Sequence, residues 1–321
     1  MHSPLTIINF KSIKDIRLEC KKVNIFIGEP NAGKSNIIEG ISLLSDSILD
    51  LSALCRYRTL SDLFFDNQTG QGILVRLGDQ FSEISWSSFE RIPFNFLSGH
   101  HMTPVYQKRL EATGKGEIKP FISENQTGIN LYKFNSSSTY RNPNPGKLLP
   151  PFGENLFSII ATNEAFRSQV RDIFRPLGFK LNIRPDDLEV LISKEKGEDI
   201  FSYSFQNISE TLRRIVFFRA CLETNQNSTI LFDEPEANTF PFYTKYLAER
   251  IALDESNQYF LTTHNPYLLR SIVEKTKKDD LNVCVTYMED YTTKVRPLSV
   301  TELDEVLDID SFFNLDLFLK K

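Results

Sequence analysis

The sequence is poor in cysteine and contains no long apolar run. Only four of its 321 residues are cysteines, and no two of them stand in a CxxC pair. This scarcity indicates neither a disulfide framework nor a zinc site and is typical of a reduced intracellular protein. No apolar stretch approaches the roughly 20 residues that a helix needs to cross a bilayer. The N-terminus also becomes charged too early for a signal peptide, so we expect a cytoplasmic protein without a membrane partner.

The chain also lacks an excess of positive charge. It has 37 Lys and Arg residues against 42 Asp and Glu residues, which gives a net charge of −5. A global basic field for nucleic acid is therefore absent, although a local basic face remains compatible with this balance. There is no internal repeat and no sustained heptad pattern, which excludes long coiled-coil arms.

What the sequence does contain is an α/β pattern at both ends of the chain. Residues 1–50 and 201–321 alternate strand-like and helix-like runs, such as "VNIFI" before "SNIIEGISLL" and "STILFDEP" before "FYTKYLAERIAL". Residues 51–200 mix short strand-like runs with turn-rich polar segments such as "NSSSTYRNPNPGK". We predict a discontinuous α/β domain formed by residues 1–50 and 201–321, with residues 51–200 as an inserted α+β lid or arm.

The segment from Gly28 to Ser35 matches the phosphate-loop pattern G-x-x-x-x-G-K-[ST]. Glycines allow the backbone to approach a phosphate closely, Lys34 reaches the β- and γ-phosphates, and the Ser35 hydroxyl is a ligand for Mg²⁺. A plain glycine turn is the alternative, but the apolar strand before the loop and the amphipathic helix after it favour a nucleotide site. The predicted nucleotide-binding residues here are Gly28, Asn31, Ala32, Gly33, Lys34, Ser35 and Asn36.

A second candidate is the acidic pair Asp233-Glu234, which ends the apolar run "TILF". A buried strand that delivers carboxylates to the edge of a sheet beside a phosphate loop would place Asp233 on Mg²⁺ and Glu234 on the attacking water. The alternative is a solvated turn, which Pro235 would fit.

Two further residues complete the predicted site. His264 follows the apolar strand "YFL" and is expected at the same sheet edge, where it would hydrogen-bond the γ-phosphate or the attacking water, although a single histidine is more often structural. Ser209 begins a helix in "ISETLRR". It is read equally well as an N-cap and as a hydroxyl that, with the helix N-terminus, binds the phosphate of ATP held by a second copy of the chain.

The four segments occur in the order of a known family. "GEPNAGKSN", "ISETLRR", "LFDEPEAN" and "LTTHNP" resemble the Walker A, signature, Walker B and switch-histidine motifs of ABC-type ATPases. The opening "INFKSIKDIRL" and the sequence "DEPEA" resemble the OLD/RecF/SMC-like branch, and the middle is similar to the lid insertions of small stand-alone OLD-like AAA ATPases, many of them prokaryotic antiphage or toxin–antitoxin components.

This resemblance implies a P-loop NTPase fold with an ABC-type ATPase head, in which a mixed sheet is flanked by helices. It implies ATP and Mg²⁺ as ligands, with Glu234 and His264 as catalytic residues and Ser35 and Asp233 as metal ligands. It also implies a homodimer or higher oligomer in which each ATP is sandwiched between the phosphate loop of one subunit and Ser209 of the other.

The sequence departs from the family pattern in three places. Glu210-Thr211 stand where the signature has its glycine pair, so contact with the partner's γ-phosphate is expected to be weaker or to be remodelled by Arg213 or Arg214. The only candidates for a Q-loop are Gln68 and Gln71. The 57 residues after His264 have neither the room nor the pattern for the Toprim domain of OLD nucleases.

These observations leave three functional hypotheses. The first is an ATPase whose assembly controls a separate effector, such as a nuclease or toxin. The second is a DNA-binding repair or recombination clamp, for which the basic residues are Lys11, Lys14, Arg17, Lys21, Lys22, Lys275, Lys277 and Lys278. The third is the nucleotide subunit of a transporter, which would need a glycine signature and a coupling surface.

Overall fold

The structure is a computed structural model that describes residues 3–45, 51–86, 94–100, 103–110, 116–120, 127–184, 187 and 189–308. Within these ranges the strands form three sheets. Among the described residues, none of the helices combines the length and the hydrophobicity that spanning a bilayer requires.

The predicted phosphate loop follows a strand of a mixed sheet with the order β16-β15-β3-β14-β13-β9. Strands β3, β9, β13, β14 and β15 run parallel to their neighbours, and β16 pairs antiparallel with β15. The strands are β3 (Val23–Ile27), β9 (Ile129–Tyr132), β13 (Thr229–Asp233), β14 (Gln258–Thr262), β15 (Leu281–Glu289) and β16 (Thr292–Pro297).

A second sheet is antiparallel, with the order β2-β1-β4-β5-β6-β7-β8. Its strands are β1 (Ser3–Phe10), β2 (Ile13–Cys20), β4 (Ile73–Leu77), β5 (Gln80–Trp86), β6 (Phe94–His100), β7 (Thr103–Leu110) and β8 (Gly116–Pro120). A third, small antiparallel sheet is made of β10 (Lys180–Arg184), β11 (Glu189–Lys196) and β12 (Asp199–Ser204).

The helices cover both faces of the mixed sheet. They are α1 (Lys34–Ser42), α2 (Leu51–Leu54), α3 (Leu156–Thr162), α4 (Glu164–Phe174), α5 (Glu210–Thr224), α6 (Pro241–Leu253), α7 (Pro266–Lys275) and α8 (Val300–Asp308). Short 3₁₀ turns lie at Leu60–Leu63, Phe65–Asn67, Arg175–Leu177, Phe205–Asn207 and Lys278–Asp280.

Two hydrophobic cores lie on opposite faces of the mixed sheet because successive side chains of a strand point to opposite sides. In β3, Ile25 and Ile27 pack into the core that includes α3, α5, α6 and α7, whereas Phe26 packs with α1 against the antiparallel sheet. All five residues of β3 are buried, as expected for a parallel strand covered on both faces. The predicted fold class, a mixed sheet flanked by helices, is confirmed.

The expected insertion shares sheets with the two ends of the chain. Strand β4 pairs with β1, and β9 pairs with β13, so residues 73–77 and 129–132 extend the sheets that the ends begin. The sequence signal was weak here because these pairings join segments that are far apart in the chain. The division at residues 50 and 201 stays a prediction, and residues 309–321 lie outside the described residues.

Candidate functional site

The predicted phosphate loop lies between β3 and α1, and its two glycines are required by close packing. Gly28 has φ +155°, and a Cβ there would lie 2.1 Å from the Thr286 carbonyl oxygen. Gly33 has φ +94°, and a Cβ there would lie 2.0 Å from Thr293 Oγ1. Both contacts are too short for any side chain, so the loop backbone lies directly against β15 and β16.

Lys34 is the first residue of α1, and its side chain folds back under the loop. The ammonium donates to the backbone carbonyls of Gly28 at 2.9 Å and Glu29 at 2.7 Å. Burial lowers the pKa of Lys34, and the nearby carboxylates of Asp233 and Glu234 oppose this effect. Lys34 therefore stands as a buried positive charge at the place where phosphates would bind.

The other loop residues differ in their surroundings. Asn31 is exposed at the loop tip with φ +63°, and Ala32 is buried. Asn36 donates its amide to Ser12 Oγ at 2.7 Å, which ties α1 to the turn between β1 and β2. The structure thus provides Asn36 with a structural partner, and its role in binding nucleotide stays a prediction.

The two predicted metal ligands meet across the sheet edge. Ser35 Oγ lies 3.0 Å from Asp233 Oδ1, which also accepts a hydrogen bond from Thr262 Oγ1 at 2.6 Å. A hydroxyl and a carboxylate are the hard oxygen donors that Mg²⁺ prefers, with waters and substrate phosphates as its other ligands. No cluster of three or more His, Cys, Asp or Glu side chains suited to a metal occurs in the described residues.

Glu234 and His264 form the second pair at this edge. His264 Nε2 lies 3.0 Å from Glu234 Oε1, and both side chains are partly exposed. Burial, and then the charge of Lys34, lower the pKa of His264, against the opposing effect of Glu234 and Asp233. A neutral His264 donates to Glu234 from Nε2 and leaves Nδ1 as an acceptor. Glu234 also has φ +48°, a strained conformation that is typical of functional sites.

Glu236 hydrogen-bonds the segment that carries His264, and no sequence motif identified it. Its Oε1 accepts hydrogen bonds from Thr263 Oγ1 at 2.5 Å and from the backbone N–H of His264 at 3.2 Å. Glu236 therefore holds the end of β14 against the segment that follows Asp233-Glu234. The only sequence signal was its place two residues after Glu234.

A cavity of about 490 Å³ opens beside Ser35, Asp233 and Glu234. Its charged lining includes Glu39 of α1, Arg56, Lys133 and Arg214. Gln68 and Gln71, the Q-loop candidates, do not line it. Lys133, Arg56 and Glu39 carried no motif, and only the parallel pairing of β9 with β13 brings Lys133 to this edge.

The signature segment lies at the N-terminus of α5, where Arg214 lines this cavity and Ser209 does not. Ser209 is exposed and occupies the N-cap position, but its hydroxyl makes no capping hydrogen bond. Thr211 Oγ1 donates to the backbone carbonyl of Asn238 at 3.0 Å, so the start of α5 lies against the segment that follows the acidic strand.

The two arginines of the signature segment are engaged within their own chain. Arg213 is buried and donates to the carbonyl of Ser136 at 2.8 Å. Arg214 pairs with Glu210 at 3.0 Å and lines the cavity beside Ser35. Both guanidinium groups lie over the ring of Phe134. A contact of either arginine with the partner's phosphate stays a prediction.

Comparison with known proteins supports the same fold. Two Smc head structures resemble this chain over most of its length. The head bound to the C-winged helix domain of ScpA has a TM-score of 0.54 and 18% identity, covering 95% of this chain and 99% of that chain. The head with an extended coiled coil, bound to the C-terminal domain of ScpA derived from Pyrococcus furiosus, has a TM-score of 0.55 and 15% identity, covering 96% and 98%.

At these identities the similarity shows the fold alone. A search of curated proteins found no match. The family model described as the AAA ATPase domain matches residues 1–172, more than half of the chain. The chain therefore belongs to the AAA ATPase domain family, as a P-loop nucleotide hydrolase with a fold similar to SMC heads.

Proposed function

We propose that this protein binds and hydrolyses ATP with Mg²⁺, and that its nucleotide cycle drives dimerisation or higher assembly that controls a separate effector protein. The effector would be a nuclease or a toxin, in prokaryotic antiphage defence or a toxin–antitoxin-like system. The observation that carries the hydrolytic part is the meeting of Ser35, Asp233, Glu234 and His264 at one sheet edge beside the buried Lys34.

Each of these groups has a role in phosphoryl transfer. Lys34 and the loop N–H groups would hold the β- and γ-phosphates, and Ser35 and Asp233 would hold Mg²⁺, which would supply positive charge when bound. Glu234 orients the attacking water and receives its proton as the water oxygen bonds to the γ-phosphorus and the bond to the ADP oxygen breaks. His264 holds the Glu234 carboxylate through Nε2.

Dimerisation is supported by the surface around this edge. Ser209 presents an exposed hydroxyl that no capping bond occupies, as a contact with ATP on a second copy requires. Large apolar side chains are exposed nearby in the chain, with Phe240 67%, Phe242 70% and Tyr267 64% accessible. Such side chains on segments that directly follow the acidic pair and His264 are suited to burial against a second subunit.

Control of an effector is supported by similar structures that have a second protein bound. Two similar Smc heads were solved with a domain of another protein bound to each. We propose that this chain likewise carries a partner protein whose activity follows the nucleotide state. A cytoplasmic location remains part of this proposal.

The test is the variant Glu234→Gln, which keeps the size of the side chain but removes its ability to accept a proton. We expect ATP binding to persist, ATP turnover to fall by roughly 100-fold, and a dimer to accumulate in the presence of Mg²⁺ and ATP. Phosphate release and light scattering after size-exclusion chromatography measure these quantities.

The matched control is Glu255→Gln, which makes the same charge change on an exposed residue between α6 and β14. It should behave like the parent. Parent-like turnover in Glu234→Gln would refute the role of Glu234, and a monomer at all nucleotide states would refute the assembly cycle.

The DNA-clamp alternative is not favoured by the basic residues that motivated it. Lys11 pairs with the buried Glu39, and Arg17 pairs with Asp15 at 3.2 Å, so part of the positive charge is neutralised within the chain. Stimulation of ATP turnover by DNA with a steep salt dependence would reverse this judgement.

A further inference from the structure

Lys133 stands beside the acidic pair although no motif predicted it. Strands β9 and β13 are parallel and in register, with Tyr132 opposite Phe232. One residue further along, Lys133 directly follows β9 and Asp233 is the last residue of β13, so both lie at the same edge of the sheet. Both residues line the cavity that also includes Ser35 and Glu234.

The Lys133 ammonium makes two hydrogen bonds and keeps one N–H donor. It donates to the backbone carbonyls of Ala53 at 3.2 Å and Leu54 at 2.8 Å, at the end of α2. A lysine ammonium has three N–H donors, so one remains. Lys34 is held in the same way, by two backbone carbonyls, which also leaves it one donor.

The other cations that line the cavity are paired with carboxylates, and Lys133 differs from them in this respect. Arg56 pairs with Glu39 at 2.7 Å, and Arg214 pairs with Glu210 at 3.0 Å. Within the described part of the chain, no carboxylate lies within ion-pair distance of Lys133. Its burial lowers its pKa, and the more distant charges of Glu39 and Asp233 favour the protonated form.

The phosphate loop and Lys133 follow different strands of one sheet. In the order β3-β14-β13-β9, the loop that carries Lys34 follows β3 and Lys133 follows β9. Between these two strands, Asp233 ends β13, Glu234 comes directly after it, and His264 lies just after β14. Because Ser35, Asp233, Glu234 and Lys133 line one cavity, a phosphate bound beside Ser35 and Asp233 would share that cavity with Lys133, which has no carboxylate partner among the described residues.

We infer that Lys133 is a second phosphate-binding lysine. It donates its remaining N–H to an oxygen of the γ-phosphate while the γ-phosphoryl group is transferred to water. This role rests on the proposed ATP hydrolysis and adds a catalytic residue to it. Two carbonyls hold the ammonium in place beforehand, so the contact needs little reorganisation when the phosphoryl group transfers.

The test compares Lys133→Met with Lys133→Arg, using steady-state ATP hydrolysis. The Met variant keeps the apolar stem and removes the charge, and we expect kcat to fall by about 100-fold, with a smaller change in KM. The Arg variant keeps the charge and should restore at least about a tenth of the parent kcat. The control is Lys245→Met, which removes an exposed lysine of α6 and should leave kcat unchanged.

The outcomes separate a failure of the proposed ATP hydrolysis from a failure of the role of Lys133. A parent protein that does not hydrolyse ATP refutes the proposed function and the role of Lys133 together. If the parent is active and Lys133→Met matches it, only the role of Lys133 is refuted. An Arg variant as inactive as the Met variant, at parent-like melting temperature, also refutes it, because charge would then not be the property that matters.

A loss of stability in the Met variant would not obscure the result. Lys133→Gln retains an N–H donor for the Ala53 and Leu54 carbonyls but carries no charge. It should show the same loss of kcat as Lys133→Met while melting close to the parent, and parent-like activity in this variant would refute the inference.

Discussion

Glu236 provides a test of the site's architecture that does not depend on nucleotide. Its side chain is 7% exposed, and Oε1 accepts two hydrogen bonds from the Thr263-His264 segment. Its second oxygen, Oε2, has no hydrogen-bond partner in the described part of the chain. Burial raises the pKa of Glu236 from its ordinary 4.5 to about 7.

This raised pKa makes folding stability depend on pH. Below pH 4.5 the carboxyl is neutral in both the folded and the unfolded chain, and Glu236 carries no penalty. Between pH 4.5 and 7 the unfolded chain ionises while the folded chain keeps the proton, so the stability falls as pH rises. At 1.36 kcal/mol per pKa unit, the full loss above pH 7 is about 3 kcal/mol.

The perturbation is Glu236→Gln, which mimics the protonated acid at every pH. Urea unfolding at pH 5 and pH 8 gives the free energy of unfolding of the parent and the variant. We expect the parent to lose about 2.5 kcal/mol more than the variant between these two values, because most of the titration lies in this window.

The control for this experiment is Glu255→Gln, which makes the same charge change at an exposed site. It should keep the pH dependence of the parent. Equal pH dependence in Glu236→Gln and the parent would show that Glu236 is not buried as a neutral acid and would refute the reasoning.

Two further predictions concern the loop and the metal. Gly33→Ala would place a Cβ 2.0 Å from Thr293 Oγ1 in a left-handed backbone, so we expect ATP no longer to raise the melting temperature of this variant. The control is Gly178→Ala, at φ +77° with open space around the Cβ. It should lower the free energy of unfolding by only about 1 kcal/mol and keep the rise in melting temperature with ATP. Asp233→Asn should raise the Mg²⁺ concentration that gives half-maximal ATP turnover. The control is Asp199→Asn, at an exposed position of β12, which should leave this concentration unchanged. An unchanged Mg²⁺ titration in Asp233→Asn would contradict the role of Asp233 as a metal ligand.

Much of the fold around the site was predictable because local patterns specify it. The apolar run before Gly28, the runs before Asp233 and His264, and the helices that follow them all appear as expected, since buried parallel strands read as continuous apolar segments. The Q-loop candidates show the limit of such patterns, because Gln68 and Gln71 were chosen by residue type and do not line the cavity.

The sequence by itself determined the residues of the phosphate loop, the acidic pair and the histidine, because each motif follows its own strand within a few residues. Tertiary structure alone decided which other groups join them. Lys133 reaches the site through the pairing of β9 with a strand 100 residues later. Glu236 became a buried acid because Thr263 and His264 fold over it. Such contacts depend on register between distant segments, which no local pattern encodes.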